Sequence, residues 1–289
     1  MAMTNNRILV LGAGGMLGNA MLRVLSEDTA YEVVGAVRNP QTASKITSIF
    51  DGRINTHFNA DDLDSLMHVV EIERPAVIVN CVGLIKQRAE ADDPLATLPV
   101  NSLFPHRLAR VASLANARVI HFSTDCVFSG KAGGYVESDF ADAYDLYGRS
   151  KLLGELHESH CFTVRTSIIG HELDSSRSLI GWFLSQSGTA KGFRRAIFSG
   201  LPTVELAKVV RDYILPNPQL SGLWHVSADP INKYELLRLV ADIYKKDIEI
   251  VADDDFVIDR SLNSDRFRKA TGYSPPDWRQ LIQSMHQFH

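Results

Sequence analysis

A glycine-rich turn near the start of the chain constrains the fold more than any other feature. Gly12, Gly15 and Gly18 come directly after the apolar run RILVL, residues 7–11. Such a run is typical of a buried strand in a parallel sheet, and glycines after it allow the backbone to turn tightly. Helical spacing of apolar residues follows, at Met16, Leu17, Ala20, Met21, Val24 and Leu25. The sequence therefore predicts a strand–turn–helix unit.

Strand-like and helix-like segments alternate over the first 170 residues. The predicted strands after the first are 31–38, 54–60, 75–83, 117–128 and 161–170, and the predicted helices are 61–73, 101–115 and one that begins at 146. This alternation is typical of βαβ units, whose parallel sheet carries helices on both faces. We predict an α/β fold with a Rossmann-type doubly wound parallel sheet.

In that position the glycines suit a dinucleotide. One glycine allows the turn, another lets the backbone approach a pyrophosphate, and the last packs the helix against the strand. The backbone N–H groups that begin the helix would then bind phosphate. We assign Gly12, Gly15, Met16, Leu17 and Gly18 to the cofactor, while a purely structural glycine turn is the alternative.

The end of the second strand indicates which dinucleotide is bound. An acidic residue there would bind the ribose hydroxyls of NAD, whereas a cation suits the 2′-phosphate of NADP. This strand ends Val37-Arg38-Asn39, without an acid. We predict NADPH, with Arg38 on the phosphate and NADH as the alternative. Arg38 could instead be a solvated loop charge.

Beyond residue 170 the regular alternation of predicted strands and helices ends. Helices are predicted at 178–186, 203–215 and 233–246, with a strand at 223–227 and a last helix at the C-terminal end. We predict an NAD(P)-binding Rossmann domain over 1–170, completed by strand 223–227 and helix 203–215. Residues 171–289 would form mainly a smaller, mixed α/β substrate-binding portion.

Composition excludes several classes of function. The net charge of -4 argues against non-specific binding to nucleic acid, and no apolar run approaches the ~20 residues of a membrane span. The N-terminal residues lack the layout of a signal peptide. Three cysteines without a CxxC pair are expected to be reduced thiols, and no metal-ligand cluster is evident. We expect a cytoplasmic protein without a metal.

Tyr147 and Lys151 lie four residues apart in LYGRSKLLGE. On a helix this spacing places both side chains on one face. Taken alone, the pair could equally be a surface tyrosine packed on a lysine stem.

Longer segments of the sequence bear on the role of Tyr147 and Lys151. With the glycine turn, the segments PAVIVNCVG, HFSTDCVFSG, YVESD, DLYGRSKLLGE, VRTSIIG, SGLPTVELA and GLWHVS make the chain resemble an extended short-chain dehydrogenase/reductase. More narrowly, it is similar to the dTDP-4-dehydrorhamnose reductase branch, whose members reduce 4-keto sugars attached to nucleotides. The resemblance covers nearly the whole chain.

The resemblance implies a catalytic group. Tyr147 would be the general acid, and Lys151 would lower its pKa from about 10 and bind the nicotinamide ribose. Thr124 would hydrogen-bond the substrate oxygen, a role that the adjacent Ser123 could share. Asn101 matches the family asparagine that supports a proton relay, although it could simply cap a helix.

Further cofactor contacts follow from the resemblance. Asn59 and Ala60 stand where the family often has an Asp and an apolar residue beside the adenine. Cys81, Val82 and Gly83, the last residues of the predicted strand 75–83, are also assigned to the cofactor. Ile168 and Ile169 stand where reductases of this branch often have an aromatic residue. The resemblance therefore supports the type of reaction more strongly than the identity of the substrate.

Cys126 argues against dehydration. In related sugar-nucleotide 4,6-dehydratases a Thr-Asp-Glu sequence supplies two carboxyl groups, whereas this chain has Thr124-Asp125-Cys126. A thiol does not readily replace the second carboxyl group. We therefore expect Asp125 to orient the loop.

A nucleotide sugar carries a pyrophosphate, which needs local cations. Our candidates are Lys86, Arg194, Arg195 and Arg260, with Arg266 nearby in sequence. Each arginine could equally be a solvated surface charge. The FRR segment and the altered pocket positions favour a UDP-linked 2-acetamido sugar over dTDP-4-dehydrorhamnose.

Three functions remain open. The first is an NADPH-dependent reductase of a nucleotide-linked 4-keto-6-deoxy sugar for polysaccharide precursor synthesis. The second is an epimerase that returns its hydride. The third is a non-catalytic, NADP-binding regulatory subunit, because the branch includes such partners of methionine adenosyltransferase. The resemblance also suggests a homodimer.

Overall fold

A computed structural model describes residues 6–85, 92–173 and 175–289. Within these residues, seven parallel strands form the central sheet in the order β11-β6-β5-β4-β1-β2-β3. Their bounds are β1 Arg7–Leu11, β2 Glu32–Ala36, β3 Ile54–Asn55, β4 Val77–Asn80, β5 Arg118–Thr124, β6 Cys161–Thr166 and β11 Gly222–His225. The predicted doubly wound Rossmann-type sheet is confirmed.

Helices cover both faces of this sheet because its strands are apolar on both sides. The helices are α1 Met16–Leu25, α2 Pro40–Ile46, α3 Leu63–Glu73, α4 Pro94–Leu98, α5 Phe104–Leu114, α6 Leu146–Leu153, α7 Leu179–Ser185, α8 Thr203–Val209, α9 Lys233–Tyr244, α10 Asp265–Thr271 and α11 Trp278–Phe288. Helices α1 and α8 contribute to one buried core, and α3 and α5 contribute to the core on the other face.

The strand order reverses between β1 and β4. From β1 the chain builds β2 and β3 on one side, and it then crosses to build β4, β5 and β6 on the other. Open α/β sheets bind ligands at the carboxyl ends of the strands beside such a reversal. This topology brings the glycine turn after β1 and the residues after β4 to the same crevice.

The C-terminal part is mixed, as predicted. Small sheets pair β10 with β7, β9 with β12 and β14, and β13 with β8. Their bounds are β7 Ile168–Ile169, β8 Thr189–Phe193, β9 Ala196–Phe198, β10 Leu201–Pro202, β12 Ile231–Asn232, β13 Glu249–Asp253 and β14 Ile258–Asp259. Helix α8 packs on α1, while α11 packs on α8 and α9.

Several local predictions differ from the structure. The predicted strand 54–60 pairs only over Ile54–Asn55, because the chain then leaves the sheet towards α3. The predicted helix 101–115 is a π-helical turn, Pro99–Leu103, followed by α5. A second π-helical turn, Val210–Ile214, extends α8, and a 3₁₀ turn, Asp125–Val127, follows β5. The structure also contains short elements that the apolar periodicity does not predict: helices α2 and α4 and strands β8 and β9.

None of the helices in the described parts of the chain combines the length and the apolar character that a membrane crossing requires. Likewise, the described His, Cys, Asp and Glu side chains form no cluster of three or more that could hold a metal ion.

Candidate active site

Three elements position the catalytic candidates: the end of β5, the 3₁₀ turn after it, and α6. The Asp145 side chain caps α6 by accepting a hydrogen bond from the Gly148 backbone N–H (2.7 Å). A Cβ atom at Gly148 would lie 2.3 Å from the Cys126 carbonyl oxygen. Glycine therefore allows α6 to pack directly on the loop that follows Thr124, which brings Tyr147 to that loop.

Tyr147 lies beside Thr124 and is partly buried. Burial raises the pKa of the phenol above its usual value, and the nearby Cys126 and Asp125 raise it further. A hydrogen bond with Thr124 acts in the opposite direction. The expectation that Lys151 lowers this pKa stays a prediction.

Lys151 is buried one helical turn further on. Its Nζ donates a hydrogen bond to the Phe122 carbonyl oxygen (2.7 Å), which fixes the ammonium at the carboxyl end of β5. Burial lowers its pKa to about 8, although Glu155 and Cys81 favour the charged form. A Cβ at Gly83 would lie 3.9 Å from Nζ, so the backbone after β4 passes close to the ammonium.

Asn101 lies in the π-helical turn and is 1% exposed. Its Oδ1 accepts a hydrogen bond from the Leu84 N–H (2.8 Å), and its Nδ2 donates to the Leu84 carbonyl oxygen (3.0 Å) and to Ser150 Oγ (3.1 Å). The alternative of a helix N-cap is wrong, because Leu98 before the turn is already helical. Asn101 instead ties the segment after β4 to α6. The proton relay stays a prediction.

Ser123 and Thr124 have different partners. Ser123 Oγ donates to Glu155 Oε1 (2.7 Å), and Glu155 forms a buried ion pair with Arg165. Thr124 Oγ1 donates to Asp125 Oδ1 (3.2 Å) and accepts from the Cys126 N–H (3.1 Å). Successive strand residues point to opposite faces, so only Thr124 lies with Tyr147. The structure therefore gives no support to a role that Ser123 shares with Thr124.

The glycine turn has the tight geometry that a phosphate site needs. Gly12 has a φ of +77°, and a Cβ there would lie 3.1 Å from the Cys81 backbone. At Gly18 a Cβ would lie 2.1 Å from the Gly12 carbonyl oxygen, so α1 packs directly on the turn. Gly15 caps α1, and the backbone N–H groups of Met16 and Leu17 begin the helix, where such groups lack intrahelical partners. This cradle fits a dinucleotide diphosphate.

The remaining cofactor candidates lie at the same edge of the sheet. Arg38 is exposed after β2 and forms no ion pair or side-chain hydrogen bond within the described residues. The Asn39 side chain caps α2 by accepting a hydrogen bond from the Thr42 N–H (2.9 Å).

The other candidates lie after β3 and β4. Asn59 donates its backbone N–H to Ser65 Oγ (3.0 Å), and Ala60 is buried. Cys81 and Val82 border Gly12 directly.

The substrate candidates separate into two groups. Arg260 reaches the catalytic loop, since its Nε donates to the Phe128 carbonyl oxygen (2.8 Å) and its Nη1 lies 3.4 Å from Cys126 Sγ. Arg194 pairs with Asp254 on an exposed turn, and Arg195 is exposed beside it. Neither has a described contact with the catalytic candidates.

The other two predicted cations are placed differently. Arg266 stacks on Trp224, with its guanidinium carbon 3.7 Å from the ring centroid. Lys86 lies outside the described residues.

The sequence analysis missed Lys233, the first residue of α9. Burial lowers its pKa, while Asp125 and Cys126 act to raise it, so Lys233 lies near the catalytic loop. Asp125 is itself buried, which raises its pKa, and Arg260 opposes that rise. Lys233 comes more than a hundred residues after the loop, so no local pattern indicated that it would join Arg260 there.

Comparisons with known proteins identify the family of this chain. The sequence profile of the RmlD substrate binding domain family matches residues 6–288. A dTDP-4-dehydrorhamnose reductase from Aggregatibacter actinomycetemcomitans is 23% identical over 313 residues, which cover 98% of this chain and 99% of the relative. Methionine adenosyltransferase 2 subunit beta from Danio rerio is 28% identical over 255 residues, which cover 82% of this chain and 74% of the relative.

A solved structure extends the likeness to three dimensions. The dTDP-4-dehydrorhamnose reductase from Bacillus anthracis, in complex with NADP, has a TM-score of 0.79 at 19% identity and covers 99% of this chain and 100% of its own. The predicted resemblance to the dTDP-4-dehydrorhamnose reductase branch of the extended short-chain dehydrogenases/reductases is thereby confirmed. The chain belongs to the RmlD substrate binding domain family.

Proposed function

We propose that the protein is an NADPH-dependent reductase of the 4-keto group of a nucleotide-linked 6-deoxy sugar. One observation carries the proposal: Thr124, Tyr147 and Lys151 lie together at the crevice where the glycine turn forms its phosphate cradle. A phenol, a hydroxyl and an ammonium beside a dinucleotide site are the groups that ketone reduction requires.

The cofactor would lie along the carboxyl edge of the sheet. The diphosphate would bind at Gly12, Gly15 and Gly18 and at the first N–H groups of α1. Arg38, exposed after β2, would bind the 2′-phosphate. Lys151 would hydrogen-bond the nicotinamide ribose. When bound, NADPH supplies the hydride that adds to the ketone carbon.

The protein's own side chains would supply and control the proton. Burial raises the pKa of Tyr147, which favours the protonated phenol, and this phenol would protonate the alkoxide as it forms. Thr124, which lies beside Tyr147, would orient the substrate oxygen. The charged form of Lys151 would then stabilise the phenolate.

The substrate's diphosphate would be held by cations at the mouth of the crevice. Arg260 contacts the catalytic loop, and Lys233 lies near the same loop, so both are better placed than Arg194. We retain a UDP-linked 2-acetamido-2,6-dideoxy-4-hexulose and dTDP-4-dehydrorhamnose as the two substrate candidates. Either product would serve polysaccharide precursor synthesis.

A non-catalytic regulatory subunit is the second candidate, because methionine adenosyltransferase 2 subunit beta is among the relatives. An epimerase is a third, and it would return the hydride without net oxidation of NADPH.

The test is to follow NADPH absorbance while 4-keto-6-deoxy sugars are produced by dehydratases, one dTDP-linked and one UDP-N-acetyl-linked. We expect stoichiometric oxidation with one of them, and loss of turnover by about 10²-fold or more in Tyr147→Phe with NADPH binding retained. Tight NADPH binding without oxidation of either sugar would contradict the proposal and favour the regulatory subunit or the epimerase.

A further inference from the structure

A second cavity lies outside the catalytic crevice. Its volume is about 140 Å³, and it is lined by one face of α1, the first turn of α8, the segment 171–173 and the C-terminal end of α11. Six polar side chains line it: Asn19, Arg23, His171, Glu172, Thr203 and His289. It shares none of its walls with Thr124, Tyr147 or Lys151. We infer that this cavity binds a small α-hydroxy carboxylate.

Asn19 gives the first reason. The residue is 6% exposed, and its Nδ2 has no hydrogen-bond acceptor among the described residues. The other buried amides near the crevice are satisfied, since Asn80 Nδ2 is hydrogen-bonded to His121 Nδ1 and Asn101 Nδ2 has two partners. A buried donor without a partner is costly unless a water or ligand supplies an acceptor. Asn19 thus requires an acceptor in this cavity.

Arg23 gives the second reason. It lies four residues after Asn19 on the same face of α1, and both side chains line the cavity. The guanidinium stacks on the Phe288 ring at 3.8 Å and donates from Nη2 to the Phe288 carbonyl oxygen (3.0 Å). Its other N–H groups have no hydrogen-bond acceptor within the described chain. A fixed guanidinium beside a second donor suits a carboxylate, which accepts two parallel hydrogen bonds from arginine.

The opposite wall favours a hydrogen-bond donor on the ligand. Glu172 Oε2 accepts from the Ser178 N–H (2.7 Å), while Oε1 makes no hydrogen bond within the described chain. His171 adds no positive charge there, since burial, with His289 and His286 nearby, lowers its pKa to about 4. A hydroxyl on the carbon next to the carboxylate would donate to Glu172.

The cavity is connected to the cofactor site through Met16. This residue lines the cavity, and it is also the first residue of α1 in the glycine turn. Its Sδ would lie 3.3 Å from a Cβ at Gly170, so the end of β7 and the turn are packed together. A ligand in the cavity would therefore contact the element that holds the dinucleotide.

The test is ligand-observed NMR with glycolate and acetate, applied to the full chain with and without NADPH. We expect saturable glycolate binding with a Kd on the order of 1 mM, a realistic value for five heavy atoms, and weaker acetate binding. Glycolate should still bind when NADPH is saturating. Failure of the wild type to show saturable binding would mean that the cavity holds water only and would overturn the inference.

Three variants make the test specific. Asn19→Leu and Arg23→Met should abolish glycolate binding, while Glu172→Gln should retain acetate binding and lose the preference for glycolate. Because Asn19 Nδ2 has no protein partner, Asn19→Leu should keep or raise the Tm, whereas a purely structural role for Asn19 would lower it. Unchanged glycolate binding in the first two variants would also overturn the inference.

Discussion

At the scale of single residues, neighbours in sequence have different roles here. Ser123 is buried in a hydrogen-bonded group with Glu155 and Arg165, whereas Thr124 lies with the catalytic candidates. The two residues are adjacent, and because successive side chains on a strand point to opposite faces of the sheet, their hydroxyl groups lie on different faces. A matched pair of substitutions can distinguish a structural hydroxyl from a catalytic one.

We expect Ser123→Ala to lower the free energy of unfolding by about 1 kcal/mol and to leave turnover within about threefold, because it removes one buried hydrogen bond. Thr124→Val should lower kcat by about 10²-fold, because it removes a donor to the substrate oxygen. Denaturant unfolding and NADPH oxidation are the two measurements. Equal losses of turnover in both variants would contradict the assignment.

Lys151 gives a pH prediction. Its pKa of about 8 means that the ammonium is largely charged at pH 7 and largely lost at pH 9. Binding that requires the charged form should therefore weaken as the pH rises through 8, by at most about tenfold between pH 7 and 9. Titration of free protein with NADPH should show this rise in Kd, and Lys151→Met should lack it. An equally steep rise in the variant would assign the titration to another group.

At the scale of elements, close backbone packing sets the geometry of the cofactor crevice. Helix α1 lies against the glycine turn because Gly18 has no side chain, and α6 lies against the catalytic loop because Gly148 has none. The π-helical turn before α5 similarly brings Asn101 to Leu84 and Ser150. These contacts fix the functional segments relative to one another.

Two alanine substitutions in the glycine turn should differ. A Cβ at Gly18 would lie 2.1 Å from the Gly12 carbonyl oxygen, whereas a Cβ at Gly15 would meet that oxygen at 3.4 Å. We expect Gly18→Ala to destabilise the fold by about 2 kcal/mol, in the range of overpacking, and Gly15→Ala to have a smaller effect. Thermal unfolding in the absence of cofactor tests this. Similar Tm values for the two variants would argue against the tight packing of α1.

At the scale of the whole molecule, elements from the predicted portion 171–289 pack directly on elements from the portion 1–170. Strand β11 adds to the sheet beside β6, and α8 covers α1. Arg118 at the start of β5 donates to the carbonyl oxygens of Ile214 (2.8 Å) and Leu220 (2.9 Å). Residues after 170 therefore complete the seven-stranded sheet and part of the helical layer that covers it.

A fragment of residues 1–170 should accordingly fail to fold. Without α8 and β11 it would expose the apolar face of α1 and an open edge at β6, both of which are buried in the full chain. Circular dichroism and limited proteolysis should show a poorly structured fragment, while the full chain should unfold in a single transition. A fragment with a cooperative transition of its own would support an independent domain.

The sequence by itself determined the features that depend on local periodicity. Alternating apolar strands and amphipathic helices indicated the doubly wound sheet, and glycines after the first strand indicated the phosphate turn. The four-residue spacing of Tyr147 and Lys151 placed both on α6 because a helix repeats every 3.6 residues. These patterns operate over a few residues, so they can be read without the fold.

Only the tertiary structure decided which distant residues share the crevice. Arg260 and Lys233 join a loop that begins at Thr124, whereas Arg194 pairs with Asp254 on an exposed turn. The unpartnered amide of Asn19 is likewise visible only once α1, α8 and α11 have packed around it. Such contacts join residues far apart in the chain, and they depend on how whole elements pack rather than on any local repeat.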